Sequence, residues 1–178
     1  MKIRFLLVFL LCASINLQAQ QLNVGIRLQK TQQMYWENGI SAQYSFANFK
    51  PNRLFVGFDF VTSRLGTAMG SNALKQDSYI FSGSWYFFKN KPYHLIGRLN
   101  TGYLKTDLEN DIFDELPSSA FLLAPELGLT YSPEKLPIAL NLGLGYYLSM
   151  QEENKSPGTL QPLYYHLTLY YKLFNQEK

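Results

Sequence analysis

Cysteine is almost absent. The 178 residues hold one, Cys12, and it lies in an apolar N-terminal run. Lys2 and Arg4 precede that run, which extends unbroken from Phe5 to Leu11, and small and polar residues follow up to Ala19, Gln20 and Gln21. A basic start, a short apolar core and a small residue near the cut describe an export signal over residues 1–20, cleaved after Ala19 or Gln20. A lipoprotein signal would need small residues before Cys12, where Leu10 and Leu11 stand. The exported chain is therefore expected to lack cysteine, and disulfides play no part in it.

Charge is scarce as well, at 16%. Removing Lys2 and Arg4 from the sixteen basic residues leaves fourteen against thirteen acidic ones, a net of +1. Nucleic-acid binding has no electrostatic support at that balance. No apolar stretch beyond the signal reaches the roughly 18–20 residues of a membrane helix. What is abundant is hydrophobic residues, 47%, with 13 Tyr, 13 Phe and 2 Trp. That composition excludes a disordered, collagen-like or coiled-coil chain. The length suits one domain.

The apolar residues recur at every second position, the period of a strand. Eight such stretches follow one another: Leu22–Leu28, Ile40–Phe46, Leu54–Phe60, Tyr79–Phe87, Leu95–Tyr103, Phe121–Tyr131, Ile138–Leu148 and Leu163–Leu173. Long connections at 30–38, 62–78, 105–120 and 149–162 alternate with short ones at 47–53, 88–92 and 132–137. Pro51, Pro92, Pro133 and Pro137 sit in the short turns, where a missing N–H does no harm. Pro125 interrupts the sixth stretch, which predicts a bulge or a local ladder break.

Alternating strands suit two kinds of barrel. A soluble one is apolar inside and wet outside; a transmembrane one is inverted. The apolar face carries no charge. The opposite face is rich in Gly, Ser, Asn, Gln and Tyr, and holds only Arg27, Asp59, Arg98, Glu126 and Lys172 as charges. A water-facing sheet would show far more Lys and Glu and fewer glycines. Aromatic residues gather at the strand ends, as in the girdles of a membrane barrel. The expected fold is all-β, an eight-stranded antiparallel up-and-down transmembrane β-barrel.

In this architecture the chain resembles the small eight-stranded outer-membrane barrels of the OmpA and OmpX type, across residues 21–178. The resemblance rests on pattern and carries no site. It implies a porin-like wall in the outer membrane of a Gram-negative bacterium, in contact with outer-membrane lipid and lipopolysaccharide. It also implies short turns and both termini in the periplasm, and long loops outside. The expected loop, turn and interior charges are then −4, +4 and +1. Such barrels often end on an aromatic residue, whereas Phe174 here is followed by Asn175, Gln176, Glu177 and Lys178.

Candidate sites follow from the inward charges. Arg98 and Glu126 stand at equal depth on neighbouring strands and are expected to pair, because an unpaired buried charge is costly. Arg27 and Asp59 are expected to pair across the lumen. The alternative is a narrow channel or carrier for a small solute. A third reading is a lipid A-modifying enzyme, needing a His with a hydroxyl and an acid near the outer surface. His94 is at the wrong end for that, and His166 points inward beside Thr168. The acids of loop 105–120 lack the Gly and Glu of a calcium hand at its sixth and twelfth positions, where Ile112 and Ser118 stand. No cofactor or metal motif is present, and the chain is read as a non-enzyme. In the same loop Leu108, Ile112, Phe113 and Leu116 have helix-like spacing, and they are the expected anchor for a protein partner. Met34, Tyr35 and Trp36 suit the outer girdle or an adhesive loop. Gly83 and Gly97 relieve crowding beside Trp85 or leave a groove in the lipid-facing wall.

Overall fold

The computed structural model describes residues 19–31, 36–46, 54–66, 72–88, 92–108, 119–149 and 163–175. They form β1 (Ala19–Thr31), β2 (Trp36–Phe46), β3 (Leu54–Gly66), β4 (Asn72–Phe87), β5 (Tyr93–Leu108), β6 (Ser119–Tyr131), β7 (Ile138–Tyr146), β8 (Leu148–Ser149) and β9 (Leu163–Asn175). Every pairing between neighbours is antiparallel, and β1 pairs with β9 to close the sheet. β7 and β8 are one stave. Glu126 pairs with Gly145 and Leu123 with Leu148 in the same register, so only the rungs between them are missing. The gap lies opposite Pro125, which has no N–H to give. The result is a closed eight-stave barrel with a local ladder break and no bulge at that point.

The stagger can be followed in the register. From Gln21 the pairs run through Ser45, Phe55, Ser84, Arg98, Glu126, Gly145 and Tyr164 back to β1 at Thr31. The circuit returns ten residues along its starting strand. A closed barrel of this size must tilt its strands by roughly 35–45° to absorb such a shear.

The wall is inverted relative to a soluble barrel. Ile26, Phe81, Leu127 and Leu142 are 59%, 60%, 67% and 51% exposed, whereas Arg27, Asp59 and Thr168 are essentially sealed. Aromatic pairs mark both rims: the Phe60 and Tyr79 rings lie 5.2 Å apart at the loop end, and those of Tyr93 and Tyr131 4.8 Å apart at the turn end. The last described residue after β4, Phe88, has φ 57°, a left-handed conformation that starts the turn. No helix among the described residues is long and apolar enough to cross a membrane.

Two expectations need correction. First, the loop-end strands run further than the apolar alternation does. β3 continues to Gly66 and β4 starts at Asn72, so much of the expected loop 62–78 is a hairpin, and β5 continues to Leu108. Beyond Phe60 the outward face turns polar, with Thr62, Arg64, Lys75 and Asp77, so the two-residue hydrophobic period fades while the backbone ladder goes on. On this extension Arg64 holds Asp77 at 2.8 Å. Thr62 donates to the same carboxylate oxygen at 2.6 Å.

Second, the interior is not uniformly polar. Phe55, Tyr86 and Ile96 form a buried apolar cluster towards the turn end, and Leu104, Ala120 and Leu122 another towards the loop end, with Tyr147 against it. These inward apolar residues interrupt the polar set of their strands. The charges lie at the levels between these two clusters.

Candidate functional site

The middle of the lumen is a single hydrogen-bonded cluster. Arg27 on β1 reaches Asp59 on β3 at 2.8 Å and Glu126 on β6 at 3.6 Å. Arg98 on β5 lies 3.5 Å from Asp59 and 3.7 Å from Glu126. The structure thus brings all four sequence-predicted charges together, not as two separate pairs. Each arginine faces both carboxylates, and the cluster is neutral when all four are ionised. Of the two expected pairs, Arg27–Asp59 is the close one, and Arg98 and Glu126, though ladder partners, are further apart.

Polar neighbours complete the satisfaction that buried charges require. Asn100 and Tyr164 each donate to Glu126 Oε2 at 3.0 Å. His166 Nε2 lies 2.8 Å from Glu126 Oε1. Ser41 donates to Asp59, and its oxygen lies 2.7 Å from the Tyr170 hydroxyl. Arg98 also donates to Ser84 at 2.9 Å and to Tyr170 at 3.2 Å. Arg27 donates twice to the Gln29 carbonyl oxygen, at 3.1 and 2.8 Å. The Gln29 amide nitrogen then donates to Glu37 at 2.6 Å and to the Tyr147 hydroxyl at 2.7 Å.

Glu37 is the residue the sequence reading misplaced. It falls within the expected outer loop, yet it is 3% exposed and inward on β2. The signal was its parity: Glu37 continues the inward set Gly39, Ser41 and Gln43. The tyrosines 147, 164 and 170 were on the inward face of the pattern, but nothing in the sequence pointed to the Gln29 amide, the Glu126 carboxylate and the Arg98 guanidinium that they respectively meet.

Glycines make room for this filling. A Cβ on Gly143 would collide with His166 Nε2 and meet Glu126 Oε1 at 2.8 Å, and one on Gly145 would run into the Tyr164 ring. By contrast a Cβ on Gly83 would meet nothing within 4 Å, and one on Gly97 only Phe87 Cε2 at 3.6 Å. Gly143→Ala is therefore expected to cost about 1–3 kcal/mol by overpacking. Gly97→Ala should be near neutral. Urea unfolding midpoints in lipid vesicles check the difference, and equal midpoints would mean that the centre is loosely filled.

The chemistry available to the cluster is limited by its burial. Thr168 Oγ1 lies 3.1 Å from His166 Nδ1, and His166 Nε2 is on Glu126. Hydroxyl, imidazole and carboxylate stand in the order of a nucleophilic triad. Thr168 is 0% and His166 2% exposed, and the arrangement ties β9 to β6. His94, at the turn end, packs 6.0 Å from the Tyr86 ring. Among the described residues no group of three His, Cys, Asp or Glu is placed to hold a metal.

The loop candidates fare differently. Leu108 belongs to β5, paired with Leu74, so it does not open a helix. Ile112, Phe113 and Leu116, and Met34 and Tyr35, lie outside the described residues. Trp36 opens β2 and packs against Lys30, whose Nζ lies 5.3 Å from its ring centre.

An apolar exterior around a sealed polar centre defines the class: this is a transmembrane β-barrel with the fold of the small eight-stranded outer-membrane barrels. The N-terminal β-barrel domain of Pseudomonas aeruginosa OprF matches with a TM-score of 0.57 and 10% identity, over 88% of this chain and 100% of that one. The outer membrane protein OprG of the same organism gives 0.54 and 15%, over 88% and 97%. A de novo designed transmembrane β-barrel gives 0.53 and 13%, over 88% and 98%. That a designed barrel fits about as well as natural ones underlines that the likeness is one of fold. No protein-family model and no curated protein matches the sequence.

Proposed function

We propose that this protein is an integral outer-membrane barrel with a closed lumen. Its role is structural or interactive, exercised through the loops at one end, and it is not an enzyme. The observation that carries the reading is the sealed charge cluster, with Asp59 at 0% and Arg27 at 1% exposure beneath an apolar wall. Residues 1–20 direct export, the short turns and both termini face the periplasm, and the long connections face outside. The short turns at 47–53 and 88–92 carry Lys50, Arg53, Lys89 and Lys91, and loop 105–120 carries the acids, which supports that separation of ends.

The experiment is electrical. Protein refolded into detergent, with folding verified by a gel shift between unheated and boiled samples, is added to planar lipid bilayers. No resolved conductance steps are expected, because eight strands enclose only enough space for side chains. Steady ion-selective steps from the folded form would overturn the closed-lumen reading in favour of a narrow channel.

A further inference from the structure

The outward face just above the loop-end girdle carries a row that the lumen chemistry does not use. Lys30 on β1 is the ladder partner of both Tyr165 on β9 and Trp36 on β2. The β2–β3 register, with Asn38 opposite Thr62, places Arg64 one step beyond on the line of Trp36, and Arg64 pairs with Lys75 on β4. Three cations and a tryptophan thus occupy one row on four successive strands. All four lie on the outward parity of their strands, four residues beyond Ile26, Ile40, Phe60 and Tyr79, with Leu28, Asn38, Thr62 and Asp77 between them and that apolar band.

The row is prepared for a ligand at the boundary. Trp36 is 62% and Tyr165 45% exposed, and such rings settle at the headgroup level. Lys30 is held over Trp36, its ammonium 5.3 Å from the ring centre, and a lysine's long stem lets such an ammonium reach outward from an apolar surface. Arg64 spends one terminal nitrogen, Nη1, on Asp77 and on the Ser63 and Gln76 carbonyl oxygens, at 2.8, 2.8 and 3.3 Å. Among the described residues its other nitrogens carry no such bond, and a planar guanidinium offers several donors to a phosphate. Among the described residues two acids adjoin the row: Asp77, already held by Arg64 and Thr62, and Asp107, the ladder partner of Lys75.

Resting on the outer-membrane reading above, we infer that Lys30, Trp36, Arg64 and Lys75 form a docking row for the phosphate of an anionic lipid in the surrounding leaflet. The acyl chains of that lipid lie on the apolar wall below, and the phosphate bridges Lys30 and Arg64 across Trp36.

The protein has two tryptophans, Trp36 and Trp85, so Trp85→Phe leaves Trp36 as the sole reporter. This variant is reconstituted into phosphatidylcholine vesicles in which either the phosphatidylcholine or an added phosphatidylglycerol carries brominated chains. The brominated anionic lipid should quench Trp36 at a lower mole fraction than its zwitterionic counterpart. Lys30→Ala, Arg64→Ala and Lys75→Ala should each reduce that preference by about five-fold, since one basic residue at the surface contributes about 1 kcal/mol. Raising the salt from about 0.05 to about 0.5 M should reduce it as well. Equal quenching by the two lipids, or a preference unchanged in the triple variant, overturns the docking row and leaves the barrel standing. Quenching by neither lipid overturns both, because Trp36 would then not sit at a membrane.

Discussion

Glu126→Leu is expected to lower the unfolding free energy in lipid vesicles by about 3–5 kcal/mol, because it strands buried charge. Glu126 receives Asn100, Tyr164 and His166 and faces both arginines, so removing it leaves two guanidinium groups on Asp59 alone. Arg98→Leu is expected to cost less, since Arg27 still faces both carboxylates. The double replacement Arg98→Leu with Glu126→Leu should be milder than the sum of the two, since it leaves Arg27 and Asp59 as a matched pair. A second cycle on Arg27 and Asp59 should return the larger coupling, as their atoms are 2.8 Å apart against 3.7 Å. Urea unfolding followed by tryptophan fluorescence supplies all of these values. Strict additivity in both cycles would mean that water screens the charges, and the channel reading would gain what the filled barrel lost.

Leu142→Arg should be the most damaging change on the outer wall. Leu142 is 51% exposed and faces away from the lumen, where an arginine at the bilayer midplane costs about 2–4 kcal/mol. Its neighbour Asn141 is 1% exposed and donates to Thr130 at 2.7 Å. A nitroxide label separates the two environments directly. Oxygen, concentrated in lipid, should broaden the spectrum of a label at position 142 more than one at position 141. The opposite order would exchange inside and outside and restore a soluble barrel.

The eight staves, the inverted wall and the polar centre were legible in the sequence because each is a local, periodic property. Alternation of Leu142 and Leu144 with Asn141 and Gly143 depends only on the pleat of a strand. The ladder break opposite Pro125 was legible for the same reason, as a missing N–H is local. The length of the β3–β4 hairpin was not, since above the girdle no apolar outward face marks the strands: Thr62, Arg64, Lys75 and Asp77 stand there. The inward place of Glu37 was missed for the same reason: its parity with Gly39 and Ser41 was there to read, but the strand was ended short of it where the apolar alternation stops.

The site divides along the same line. Which charges turn inward was set by parity, so Arg27, Asp59, Arg98 and Glu126 could be named from spacing alone. Their partners were decided by closure. The ten-residue stagger brings β1 against β9 and sets the levels at which β1, β3, β5 and β6 face one another across the lumen. Only then does Arg27 meet Asp59, 32 residues away, and only then does Gly143 leave the space that His166 and Glu126 fill. The sequence by itself determined the side of the wall on which each residue lies, because that depends on a two-residue period. The tertiary structure decided which inward groups touch, because depth in a tilted barrel depends on the register of every strand around it.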